Sequence, residues 1–299
     1  MTLSASLLVG MLVLTGAVAA LVQAAAVVER GGTRVSAGLY AAGWGLLAFI
    51  PLAWGIFGGQ TAWYVQAVGA YDFAGAIPFH VGGGIGAVAI TFLVPRTRVH
   101  DARRSLRGAQ ASLGLAAFAA LWIGWLVLME FDLNHFVVII LTNSTVLAAT
   151  SMVAALGVER LRTGKNTVVG AATGLVAGLA AATGVSVFLE PFAAVVTGLS
   201  TGVVAGAIAY RRRAGIPSLA GFVALTGLAG GVTGLLIIGL FEPTRGFLYT
   251  GSFALLIAQS TAVIVCVVYS ALVCIPLGLI VGGRLRGRQS QWAIPDSNR

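Results

Sequence analysis

Apolar residues fall in unbroken runs along this chain and do not alternate with polar ones. Runs long enough to cross about 30 Å of hydrocarbon occupy roughly 4–28, 35–58, 74–94, 110–131, 136–157, 167–188, 191–210, 218–241 and 253–283. Nine helical spans are predicted, joined by short polar loops, in one compact bundle without a soluble domain. Continuous runs exclude a membrane β-barrel, whose strands read as short alternating segments. The expected fold class is an all-α integral membrane protein, with residues 1–284 as its transmembrane domain and 285–299 as a cytoplasmic tail. At 31 residues the last run makes about 46 Å of helix, so a strong tilt or an extension beyond the bilayer is expected.

Composition agrees with lipid as the solvent. Of 299 residues 58% are hydrophobic and only 9% carry Asp, Glu, Lys or Arg, with a mean hydropathy of +0.97. The net charge of +9 does not mark a nucleic-acid partner, because the basic residues punctuate the apolar runs instead of gathering on one module. Seventeen of the eighteen lie in the odd-numbered loops and the tail, and Arg245 alone lies in an even-numbered loop. The positive-inside rule then puts the amino terminus outside and the carboxyl terminus inside. Residues 1–28 contain no Lys or Arg, so the first run reads as a permanent span and not as a cleaved signal. Cys266 and Cys274 share one apolar run and read as packed thiols; no metal-ligand cluster or cofactor motif is evident. Glycines recur at helical spacing, as at Gly170, Gly174 and Gly178 or Gly198, Gly202 and Gly206, a pattern that lets helix backbones approach closely.

The stretch "YDFAGAIPFH", residues 71–80, stands apart. Asp72 suits a helix N-cap just before Phe73, where its carboxylate would accept from exposed amides. Pro78 falls in the second turn. Eight residues of helix would carry His80 about 12 Å below the cap, close to the bilayer midplane. An ionisable side chain there is either a functional group or a neutral imidazole hydrogen-bonded inside the bundle. Glu130 and Asp132 put two further carboxylates at the outer mouth, as solvated loop charges or as a cation-attracting vestibule.

The same stretch, continued as "YDFAGAIPFHVGGGIGAVAI", resembles the signature of the ammonium transporter (Amt/Rh) family. So do "VVER" at 27–30, "GWLVL" at 124–128, "GVERLRTGKNTVVGAATGLVAGLAAATG" at 157–184 and "GLAGGVTGLLIIGLF" at 227–241, in the same order, with a similar long last helix. The resemblance implies a narrow apolar pore through each subunit of a homotrimer in the cell membrane, carrying ammonium or ammonia without a cofactor. His80 matches the first pore histidine, Asp72 the structural carboxylate and Trp54 the vestibule tryptophan. Departures are equally plain. Gly227 stands where the second pore histidine belongs, with Thr226 its nearest polar substitute. Leu128 replaces one gating phenylalanine and Thr15 the other. The family's first two spans have no counterpart, which truncates its inverted repeat. Two functions are therefore expected, a transporter or channel subunit with a single pore histidine, or a non-conducting ammonium sensor or structural partner of another membrane protein. An enzyme is not, since no carboxylate pair or nucleophile–base set is present.

Overall fold

A computed structural model describes residues 3–96, 108–130, 133–211 and 218–292. Asp132, Arg98, Arg103, Arg104, Arg107, Arg212, Arg213 and Arg299 lie outside the described residues, as does the end of the expected tail. The helices run α1 (Leu3–Glu29), α2 (Arg34–Trp44), α3 (Ile50–Phe57), α4 (Gly83–Leu93), α5 (Gly108–Leu128), α6 (His135–Thr163), α7 (Val168–Val185), α8 (Pro191–Ala209), α9 (Leu219–Phe241), α10 (Phe247–Thr250) and α11 (Ala254–Trp292), with no strand among the described residues. Nine helical stretches among them are long and apolar enough to cross a membrane, matching the nine expected spans.

Two of those spans are composite. α2 passes through a π-helical turn, Gly45–Phe49, into α3, and α4 is preceded by a π-helical segment, Ala76–Gly82. Proline accounts for part of this. Pro51 has no N–H to give the preceding turn, and the Leu47 carbonyl instead accepts from the Tyr269 hydroxyl at 2.6 Å. Pro78 sits in the first turn of its segment, not the second, so its missing donor is one the helix would leave unpaired anyway.

Glycine sets the distance between helices. Gly174 and Gly178 lie against the α6 backbone at Ser151 and Leu147, and Gly198 and Gly202 bring α8 onto the same face of α6. Gly230 and Gly234 seat α9 on α7 at Ala177 and Ala181. Such contacts replace the hydrophobic drive that lipid removes. Ser151 adds a hydrogen bond from its hydroxyl to the Gly174 carbonyl, 2.7 Å.

The two "VER" triplets do the same work. Glu29, at the end of α1, accepts from the Leu219 amide at 2.6 Å, and Glu159, near the end of α6, accepts from the Thr167 amide at 2.9 Å. Each carboxylate thus satisfies the start of another helix, α9 in one case and α7 in the other. α11 continues to Trp292, past the expected boundary at 284, because Arg and Gln sustain a helix as well as apolar residues do.

Replacing Gly202 by Val would drive a side chain into the Ser151 carbonyl, whereas Gly114 has nothing within 4 Å. Gly202→Val is expected to cost about 1–3 kcal/mol of stability, and Gly114→Val almost none. The thermal midpoint of each variant in detergent checks this.

Candidate functional site

The site is built where a broken helix meets the end of α7. The chain arrives from α3 through a loop, and its Phe73 and Ala74 amides donate to the Gly184 and Thr183 carbonyls at 2.9 and 2.8 Å. Gln259 of α11 clamps Tyr71. Its side-chain oxygen accepts from the Tyr71 amide at 3.1 Å and its nitrogen donates to the Tyr71 carbonyl at 2.9 Å. Asp72, only 8% exposed, accepts from the amides of Gly75, Ala76 and Ile77 at 3.1, 2.7 and 2.8 Å. Gly75 turns the chain at φ +92°, a conformation that glycine takes without strain. The helix therefore starts at Ala76, two residues later than its apolar run, and Asp72 caps it from three residues before the N-cap position. Burial outweighs the three amides and raises the Asp72 carboxyl from 3.8 to about 7.

Above this junction lies a depression of about 470 Å³ lined by Ile56, Phe57, Val65, Asp72, Phe73, Glu130, Phe136, Val187 and Phe188. Two of the carboxylates singled out in the sequence, Asp72 and Glu130, meet there among four phenylalanines. Trp54 and Leu128 do not line it; they are 61% and 64% exposed. Glu130 also accepts from the Asn134 side-chain nitrogen Nδ2 at 2.8 Å. At the same end the Tyr71 ring stacks on Phe188, centroids 4.8 Å apart, and the Arg245 guanidinium sits 5.1 Å from its centroid.

His80 packs against Gly227 and Gly231, which flank the middle of the 23-residue α9. Its place opposite the middle of α9 is marked by this contact, and only four residues separate it from the helix start at Ala76. The imidazole Nε2 lies 3.1 Å from the Thr183 hydroxyl oxygen, and the ring stacks against Trp122 with centroids 5.3 Å apart. The Trp122 indole donates to the same oxygen at 3.1 Å. From Trp122 a line of rings continues to Trp125, Phe79 and Phe49, at centroid separations of 5.8, 5.8 and 4.8 Å.

The position of the expected second histidine is filled by backbone. A Cβ on Gly227 would stand 2.8 Å from the His80 carbonyl oxygen, so no side chain enters there unless the two helices part. Thr226 is buried, but its hydroxyl donates to its own helix at the Phe222 carbonyl, 2.8 Å away. The hydroxyl beside His80 comes from α7. Thr183, Trp122 and Gln259 are thus site residues that sequence reasoning passed over. Thr183 lies inside the long matching stretch at 157–184, and Trp122 precedes Trp125 by one helical turn. Among the described residues no group of three His, Cys, Asp or Glu side chains could hold a metal ion.

These features define a multi-span helical membrane protein with a broken helix that carries a buried histidine, and with an aromatic, carboxylate-bearing depression beside the start of that helix. The model of the Ammonium Transporter Family matches residues 2–293, and the chain belongs to that family, whose members are membrane transporters and not enzymes. It is 32% identical over 259 residues to a putative ammonium transporter of Methanothermobacter thermautotrophicus, covering 80% of this chain and 60% of that one. It is 28% identical over 285 residues to an ammonium transporter of Mycobacterium tuberculosis, covering 87% of this chain and 59% of the relative. The chain spans about 60% of the length of the curated relatives it matches. Among solved structures, Candida albicans Mep2 shares the fold with a TM-score of 0.76 at 23% identity, over 91% of this chain and 63% of its own. A structure described as a sensor Amt protein aligns with a TM-score of 0.72 at 24% identity, over 90% of this chain and 70% of its own.

The raised Asp72 carboxyl has a signed consequence. Between pH about 4 and about 7 the folded chain holds a proton that the unfolded chain releases, so this group favours folding less as pH rises through that window. Asp72→Asn is expected to flatten the rise in thermal midpoint on acidification from pH 8 to pH 5. It should also cost about 1–3 kcal/mol, because one backbone amide loses its acceptor. Melting curves of both proteins across that range check the sign.

Proposed function

We propose that this chain is a transporter or channel subunit for ammonium or ammonia, with His80 as the single histidine of a mostly apolar pore. The observation that carries the reading is the setting of His80, held at the middle of α9 by Gly227 and Gly231 and hydrogen-bonded, among the described residues, through Thr183 alone. A cation that enters such a path must shed water, and stabilising groups are needed on the way. Glu130 and the phenylalanines of the depression suit recruitment at its mouth, by charge and by ring faces, over the helix start that Asp72 holds. Arginine asymmetry supports an orientation with the amino terminus outside, the depression facing out and α11 ending in the cytoplasm. The broad apolar faces of α1 and α5 suit contact with lipid or with further copies of the chain, in keeping with a homotrimer in the cell membrane.

One observation favours the second reading, a non-conducting sensor or partner subunit: Gly227 packs on the His80 backbone and leaves no room for a second imidazole. Flux separates the two. In proteoliposomes, an ammonium gradient is expected to drive a current or a lumenal pH change that His80→Ala lowers on the order of tenfold or more. Saturable ammonium binding by well-folded protein without any flux would select the second reading.

A further inference from the structure

Thr183 offers His80 a hydroxyl whose own proton is committed elsewhere. That hydroxyl donates to the Leu179 carbonyl at 2.9 Å, one turn back along α7. Buried or half-buried threonines across the bundle do likewise, Thr91 to Ala87, Thr173 to Val169, Thr197 to Ala193 and Thr226 to Phe222. The indole N–H of Trp122 can only donate, and it takes one lone pair of the Thr183 oxygen. What remains for His80 Nε2, 3.1 Å away, is the second lone pair, which calls for a proton on Nε2. Nδ1 has no hydrogen-bond partner among the described residues.

We infer that Thr183 is a positioning residue that holds the His80 imidazole as the Nε2–H tautomer and turns Nδ1, as a lone pair, to the solute. This rests on the reading of His80 as a pore group and assigns that group its polarity. An ammonium ion carries only donors, so an acceptor is what the ring must present to it. Trp122, stacked on the imidazole, keeps the ring plane fixed while its N–H shares the threonine oxygen. The pair needs no second histidine to set the tautomer. That task falls to α7, since the Gly227 side of the ring is occupied by packed backbone.

The test is solid-state NMR on bilayer-reconstituted protein carrying ¹³C,¹⁵N-histidine, at alkaline pH where the ring is neutral. The chain has three histidines, so His100→Gln and His135→Gln together isolate the His80 signals. The protonated ring nitrogen is expected to correlate with Cδ2, as Nε2 does, and not with Cγ. Thr183→Val should shift the tautomer ratio toward Nδ1–H by about tenfold, the scale of one hydrogen bond. Thr183→Ser, which keeps the hydroxyl, should hold the wild-type tautomer. A wild-type proton on Nδ1, or a ratio that Thr183→Val leaves unmoved, would overturn the assignment. The readout does not depend on flux. A silent but Nε2-protonated protein would refute transport and leave this inference standing, and a conducting protein protonated on Nδ1 would do the reverse.

Discussion

Lipid offers no hydrogen bonds, so a chain that starts a helix at the edge of a span must answer for each freed backbone group. Here that start falls at Ala76, and one carboxylate answers for most of it. Asp72 takes the three amides of Gly75, Ala76 and Ile77, the end of α7 accepts from Phe73 and Ala74, and Gln259 closes both groups of Tyr71. Once the start of the segment is fixed in this way, His80 follows one turn later with no freedom to choose its depth or its face.

Close packing around the junction decides which chemistry is available. Glycines let α9 come so near to the His80 segment that Gly227 touches its carbonyl, and the small face of α7 brings a threonine within reach of the ring. The same approach that builds the bundle therefore removes the space for a second imidazole and supplies a hydroxyl in its place. Aromatic rings fill the remaining side, from Trp122 out to Phe49. Satisfying buried polar groups and placing the His80 ring are here one requirement.

Much of this was legible in the order of residues, for identifiable reasons. Apolar runs and arginine-bearing loops reported the nine spans directly, because span length and hydropathy are properties of consecutive residues. Asp72 and His80 were visible because charge is rare in such a chain. The start of the helix at Ala76 was hidden, since the turn at Gly75 leaves no mark in hydropathy. Thr183 was hidden among small residues of α7, and its role comes from a helix one hundred positions away. Trp54, on α3, and Leu128, at the end of α5, do not line the depression. Gly227 reads as a missing side chain in the sequence and as a backbone contact in the fold.

The central claim is that the ring of His80 borders a path open to small cations. Its most direct measurement is the reaction of silver ion with a thiol at position 80, in protein whose Cys266 and Cys274 are alanine. The account predicts that His80→Cys reacts in intact proteoliposomes and that ammonium slows the reaction by competing for the path. A thiol at 80 that stays inert, while one placed at the exposed Leu128 reacts at once, would contradict it.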